Sequence, residues 1–216
     1  MAASRNANGG TDKRRLILDA AIRVFARKGF HHCRVSDVAD EAGVAYGLVY
    51  HYFHSKEEIL NTLFTERWQV MLDAIVEIDR SPGLTARDKL HSIASFIIDS
   101  YRHEPELMKV IIVEVTRAAN SFGREHLDEI REAYSAIAAI VAAAQAEGSF
   151  KSDISPEFAA MCFYGAIEQL LSGWIFEVLP ATDEEFDRAK SLVVETICGG
   201  LESERAGASA VSGPGV

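Results

Sequence analysis

Residues Val35 to Lys56 read VSDVADEAGVAYGLVYHYFHSK, and this stretch restricts the fold more than any other. Val35, Val38, Ala39 and Ala42 recur at helical spacing and are small enough to pack closely on a neighbour. Ser36 is the expected N-cap, because its hydroxyl can accept from a free amide of the first turn. Asp37 places a negative charge where the helix dipole favours it. Gly43 stops this helix, since glycine takes the left-handed C-terminal conformation without steric cost, and Val44 plugs the core at the turn. A second helix is predicted over 45–52. By spacing, Val49 and Phe53 point inward, while Tyr46, Leu48, Tyr50 and His51 face outward and Gly47 keeps the surface low. Ser55 caps the next helix, with Glu58 completing a capping box. The amides of that helix start, with Lys56, form a clamp suited to phosphate. Two helices joined by a tight turn read as a helix-turn-helix, a motif whose main use is to set its second helix in the major groove of DNA.

A net charge of −10 over 216 residues argues at first against a nucleic-acid binder. The distribution answers this. Residues 1–60 hold nine Lys/Arg against seven Asp/Glu, and the rest holds 13 against 25. A mildly basic head on an acidic body can orient the protein on DNA, with the body held off the phosphates. The three cysteines, Cys33, Cys162 and Cys198, are sparse and odd in number, and the N-terminus lacks an apolar signal core, so reduced thiols in the cytoplasm are expected. His31, His32 and Cys33 are adjacent and cannot converge on one ion, so no metal and no cofactor is expected.

All of the patterned sequence is helical, and the fold class is all-α, with about nine helices. Lys13-Arg14-Arg15 opens the first, with Ile17, Leu18, Ala21, Val24 and Phe25 on its inner face, and Gly29 ends it. Further helices are predicted over 56–79, 85–101, 105–119, 124–147, 155–179 and 183–201. Residues 1–11 and 205–216 are small and polar, and are expected to be disordered tails. The segment FAAMCFYGAIEQLLSGWIFEVL from Phe158 to Leu179 is apolar almost all round. Glu168, Gln169 and Glu177 interrupt it and no basic flank anchors it, so it reads as a helix buried on two sides, not as a membrane span.

From Lys13 to Leu63 the chain resembles the N-terminal domain of the TetR family of transcriptional repressors. The resemblance rests on Ile17-Leu18-Asp19-Ala20-Ala21, Phe25, Lys28-Gly29-Phe30, Val38-Ala39, Ala42-Gly43-Val44, Gly47, Tyr50, Tyr52-Phe53 and Lys56-Glu57-Glu58-Ile59-Leu60. It departs at Ala45 and Leu48, where the family carries hydroxyl side chains that cap the reading helix and touch a phosphate; Leu48 can instead meet a thymine methyl. The resemblance implies a DNA-binding domain over 12–55 and a ligand-binding and dimerisation domain over 56–204. It implies Arg34, Ser36, Tyr46, Gly47, Leu48, Tyr50, His51 and Lys56 as the DNA-facing set. Tyr50 and Lys56 position the helix, and Tyr46, Leu48 and His51 discriminate bases. It also implies a homodimer built through the last two helices, where Gly165, Ala166, Ser172 and Gly173 allow close approach, on a palindromic operator of double-stranded DNA.

The body is less explicit. Phe96, Ile97, Tyr101, Ile111, Ile112, Val115, Phe122, Phe163, Tyr164, Ile167 and Trp174 are core or cavity lining, and such a lining suits an elongated apolar ligand. Tyr164-Gly165-Ala166-Ile167-Glu168-Gln169, Trp174-Ile175 and Val113-Glu114-Val115-Thr116-Arg117 are loosely similar to acyl-CoA-responsive FadR regulators of TetR type. That similarity implies a long-chain acyl-CoA effector, with Glu114 and Glu168 among the ligand residues and Arg117 or Arg102 on the CoA phosphates. Arg117 pairs equally well with Glu114 one turn earlier, and an aromatic or steroid-like effector fits the same lining. No nucleophile elbow, P-loop, G-x-G-x-x-G or H-E-x-x-H occurs, so an enzyme built around Glu168 is the minor alternative.

Overall fold

The computed structural model describes residues 4–116 and 126–202, with side chains over 12–114 and 126–202. Among the described residues the fold is all-α. Its helices are α1 (Ser4–Lys28), α2 (Val35–Ala42), α3 (Tyr46–Tyr52), α4 (Lys56–Arg80), α5 (Ala86–His103), α6 (Pro105–Val110), α7 (Leu127–Ala146), α8 (Pro156–Ile175) and α9 (Asp183–Leu201). α6 continues as a π-helix over Ile111–Thr116. Of the sequence-predicted residues, Arg117, Phe122 and the side chain of Val115 lie outside the described set, as do residues 1–3 and 203–216.

The chain forms two compact units. The first comprises residues 1–69 and 104–124, the second 70–103 and 125–216. Their division falls within α4, and α6 lies in the same unit as the helix-turn-helix.

In the first unit α1 buries Ile17, Ala21, Val24 and Phe25 against α2, and it also packs against α6. α2 ends at Gly43, whose φ of 65° is left-handed; Val44 N–H reaches back to the Ala39 carbonyl at 3.0 Å. A side chain there would strain that conformation. α3 is held by Val49 and by Phe53 beyond its end, both buried. α1 starts at Ser4, ahead of the predicted start at Lys13, because extending a nucleated helix costs far less than starting one.

Ser36 does not cap α2. The helix begins at Val35 with Arg34 at the cap position, and Ser36 falls inside the first turn. The Asp37 carboxylate accepts from the Arg34 N–H at 2.8 Å and also pairs with Lys28 at 2.8 Å. Ser36 therefore lies one position too far into the helix to accept from its first-turn amides. Ser55 does cap α4, accepting from Glu58 N–H at 3.1 Å, while the Glu58 carboxylate reaches one residue further back, to His54 N–H at 2.6 Å.

In the second unit α7 packs on α8, and α5 on α9. Tyr101 of α5, Trp174 of α8 and Phe186 of α9 form one aromatic cluster, with ring centroids 4.7–6.1 Å apart. α8 ends at Ile175, short of the predicted 179, because Val178 and Leu179 amides turn back to the Gly173 carbonyl at 2.8 and 3.1 Å. Glu177 carries that turn at φ 57°, the left-handed region where a side chain is strained. Glu177→Gly is therefore expected to stabilise the chain by about 0.5–1 kcal/mol in thermal or urea unfolding; a destabilisation would show that the Glu177 side chain contributes more than its backbone strain costs.

Candidate nucleic-acid interface

α3 is only seven residues long, and its inward side chain is Val49. This leaves Tyr46, Gly47, Tyr50 and His51 exposed on one short surface, with Leu48 half-buried beside them. Ala45 sits at the helix cap position without a capping side chain. The Tyr46 and Tyr50 hydroxyls are hydrogen-bonded at 3.0 Å, and their rings meet edge to face at 4.9 Å.

The surroundings sort the cations. Arg23 and Arg27 both bind Glu41, at 2.8 and 2.9 Å. Arg14 turns inward to Glu66 at 2.7 Å and lies over the Phe53 ring. Lys13, Arg15 and Arg34 are exposed.

Lys56, read from the sequence as a phosphate clamp, faces inward. Its ammonium donates to the Phe30 carbonyl at 2.8 Å and the Cys33 carbonyl at 3.2 Å, and stands 4.6 Å from the centre of the Phe30 ring. On the other face of the same peptide run, Phe30 N–H donates to the Glu114 carboxylate at 3.2 Å. Glu114 is thus placed on the turn before α2. Ile111 shares its unit and is buried. The sequence could not reveal this junction, because its partners lie 26 and 84 residues apart. The Cys33 thiol donates to the Phe30 carbonyl, and burial raises its pKa above the ordinary range, which suits an inert structural thiol.

Of the expected effector residues, Phe96, Tyr101, Arg102, Phe163, Tyr164, Ile167, Glu168 and Trp174 belong to the second unit. Tyr101, Phe163, Tyr164, Ile167 and Trp174 are buried, whereas Phe96 and Glu168 are half-buried. Tyr164 meets Tyr134 edge to face at 5.4 Å. Burial, with the Glu168 charge second, drives the Tyr164 phenol far up. Arg102 is already paired with Asp183 at 2.8 Å. Phe186 joins Tyr101 and Trp174 without having been singled out from the sequence; its only signal there is a place on the inner face of an amphipathic helix.

The apolar face of α8 and α9 is partly uncovered. Phe158 and Met161 are 64% and 58% exposed, and Leu192 is 55% exposed. A groove of about 430 Å³ runs between the two helices, lined by Ala166, Leu170, Gly173, Leu179, Leu192 and Ile197. Gly165 is exposed, but Ser172 is buried and donates to the Glu168 carbonyl, so it faces inward.

The description "Bacterial regulatory proteins, tetR family" matches residues 17–63, and "Tetracyclin repressor-like, C-terminal domain" matches 87–197. The chain belongs to the TetR family. Among TetR relatives, the fatty acid metabolism regulator protein of Bacillus subtilis is 28% identical over 191 residues, covering 87% of this chain and 95% of that protein. The repressor KstR2 of Rhodococcus jostii is 27% identical over 153 residues, covering 70% and 74%. The crystal structure of FadR from Bacillus subtilis in complex with stearoyl-CoA superposes with a TM-score of 0.76 at 26% identity, over 86% of this chain and 97% of that one. FadR from Bacillus halodurans, at 22% identity and a TM-score of 0.77, shares the fold. These TetR relatives are transcriptional regulators, and among the described residues no helix is long and apolar enough to cross a membrane.

Asp37, Glu41 and Glu58 are held below the ordinary carboxylate range, chiefly by hydrogen bonds from Lys28, Arg23 and the His54 N–H respectively. Their folded-state pKa values are depressed, so their contribution is complete above about pH 5 and is lost as pH falls through those values. The thermal midpoint should drop on acidification below about pH 4, and Glu41→Gln should remove part of that drop. Lys56→Met should destabilise the chain by about 1–3 kcal/mol in urea, because both carbonyls lose a charged donor; an unchanged urea midpoint would show that the tie carries no weight.

Proposed function

We propose that the chain is a ligand-responsive repressor that binds a palindromic operator as a homodimer and is released by a hydrophobic effector, with long-chain acyl-CoA the best-supported class. Residues 12–55 read DNA, and 56–204 carry effector binding and dimerisation. The observation that carries the DNA-reading role is the exposed face of α3, where Tyr46, Gly47, Tyr50 and His51 are exposed while the buried Val49 and Phe53 anchor the helix. Its N-terminal residues are those a recognition helix presents to base edges. Arg34, Lys13 and Arg15 supply charge for flanking phosphates. Lys56 acts through the turn that it ties. Ser36 and Leu48 sit at the edge of this surface.

The groove and exposed side chains of α8 and α9 support dimerisation. An apolar face of this kind on a soluble protein marks an interaction surface, and a second copy presents the same face. A twofold pair would set two α3 helices about 34–36 Å apart, one turn of DNA.

The effector reading rests on the fatty-acid regulator relatives, one of them in complex with stearoyl-CoA, and on the buried aromatic and aliphatic side chains of the second unit. The Phe30 peptide, held by Glu114 from the π-helix and by Lys56 from α4, offers a route for coupling. Any shift of either helix moves the turn that leads into α2 and α3. The effector must bind the released state more tightly than the DNA-bound state.

Fluorescence anisotropy on a duplex selected from random DNA tests this reading. Stearoyl-CoA is expected to lower DNA affinity tenfold or more, roughly 1.4 kcal/mol of coupling; DNA affinity unchanged by stearoyl-CoA would sink the acyl-CoA assignment. Lys13→Ala and Arg15→Ala should each reduce the salt slope by about 0.9 if each meets one phosphate, with Lys56→Met leaving it unchanged. Leu192→Asp should convert a dimer to a monomer in native mass spectrometry and abolish tight operator binding together.

A further inference from the structure

Resting on the DNA-reading role proposed above, we infer that the Tyr46–Tyr50 hydroxyl pair is a single reading device, in which Tyr46 selects the amino-bearing bases, adenine or cytosine, because its own proton is committed to Tyr50.

Each tyrosine hydroxyl has one proton to donate and lone pairs to accept. The two hydroxyls stand 3.0 Å apart, one helical turn from each other, on exposed side chains. One proton must lie between them, and the partner outside the pair decides which way it points. Tyr46 is the first residue of α3, and Tyr50 lies one turn later. The N-terminal end of a recognition helix meets base edges, so Tyr46 faces the bases and Tyr50 the flanking backbone. A phosphate oxygen only accepts. Tyr50 must then give its proton to the phosphate and take the hydrogen bond from Tyr46. With its proton spent, the Tyr46 oxygen can only accept from DNA. In the major groove the only donors are the N6 amino group of adenine and the N4 amino group of cytosine; guanine and thymine offer acceptors at their equivalent positions. The edge-to-face ring contact at 4.9 Å holds the pair in register without help from the core. The direction of the chain of hydrogen bonds, from Tyr46 through Tyr50 to phosphate, thus turns an ambivalent hydroxyl into one that discriminates.

The test is selection of bound duplexes from a random library by the full chain, followed by sequencing, for wild type, Tyr46→Phe and Tyr50→Phe. Both side chains are exposed, so both variants should fold as the wild type does. The wild type is expected to enrich adenine or cytosine on one strand at one position of each half-site. Tyr46→Phe should lose that preference while keeping the others. Tyr50→Phe should weaken binding about three- to tenfold, as the loss of one hydrogen bond does. It should also admit guanine and thymine at that same position, because the Tyr46 proton becomes free to donate to their acceptors. A preference that survives Tyr46→Phe, or one that Tyr50→Phe leaves unbroadened, overturns the inference while the DNA-reading role stands. No enrichment by the wild type overturns that role as well.

Discussion

The peptide of Phe30 is the point on which the first unit turns. Its N–H is taken by Glu114 at the end of the π-helix and its carbonyl by Lys56 at the start of α4. An unmet buried backbone group costs about 1–3 kcal/mol, so neither partner can be withdrawn without penalty. The turn from 29 to 34 is therefore defined by two helices at once, and α2 inherits its starting direction from that turn. The Lys56 ammonium is also shared with the Cys33 carbonyl, which extends the grip to the residue just before the α2 cap. The π-helix over Ile111–Thr116 adds to this, since such segments are uncommon and frequently lie at functional sites.

A second constraint follows from the length of α3. Seven residues are too few to be helical alone in water, so the helix exists because Val49 and Phe53 are buried beneath it. That economy frees its outer surface. The Tyr46 and Tyr50 hydroxyls are bonded to each other on exposed side chains, which leaves their remaining capacity for an outside partner. The ion pairs of Arg23 and Arg27 with Glu41 tie α1 to α2.

The second unit handles its charge differently. Lys190 bridges Asp99 and Asp187, and Arg102 binds Asp183, so the cations of that end are spent on joining α5 to α9. What remains unspent is apolar: the outward face of α8 and α9, with Phe158, Met161 and Leu192. The same helices thus carry a buried side made of aromatic packing and an open side suited to another chain.

The helical class, the placing of α2 and α3, and the inward turn of Val49 and Phe53 were legible in the sequence alone, because the spacing of apolar residues and the stop at Gly43 are local properties that the chain carries with it. The outward set on α3 was legible for the same reason. Ser36 was misread as a cap because sequence fixes a helix start only to within a residue or two; the helix begins at Val35, and Asp37 accepts from the Arg34 amide. The partners of Lys56 and Glu114 were hidden for a deeper reason. A long charged side chain goes to whichever polar group lies within its reach, and here those groups come from residues 26 and 84 positions away. Periodicity determined which elements form and which faces they bury. Only the tertiary structure decided which charges stay exposed and which are consumed in holding the turn, because that depends on distances between segments that no local pattern encodes.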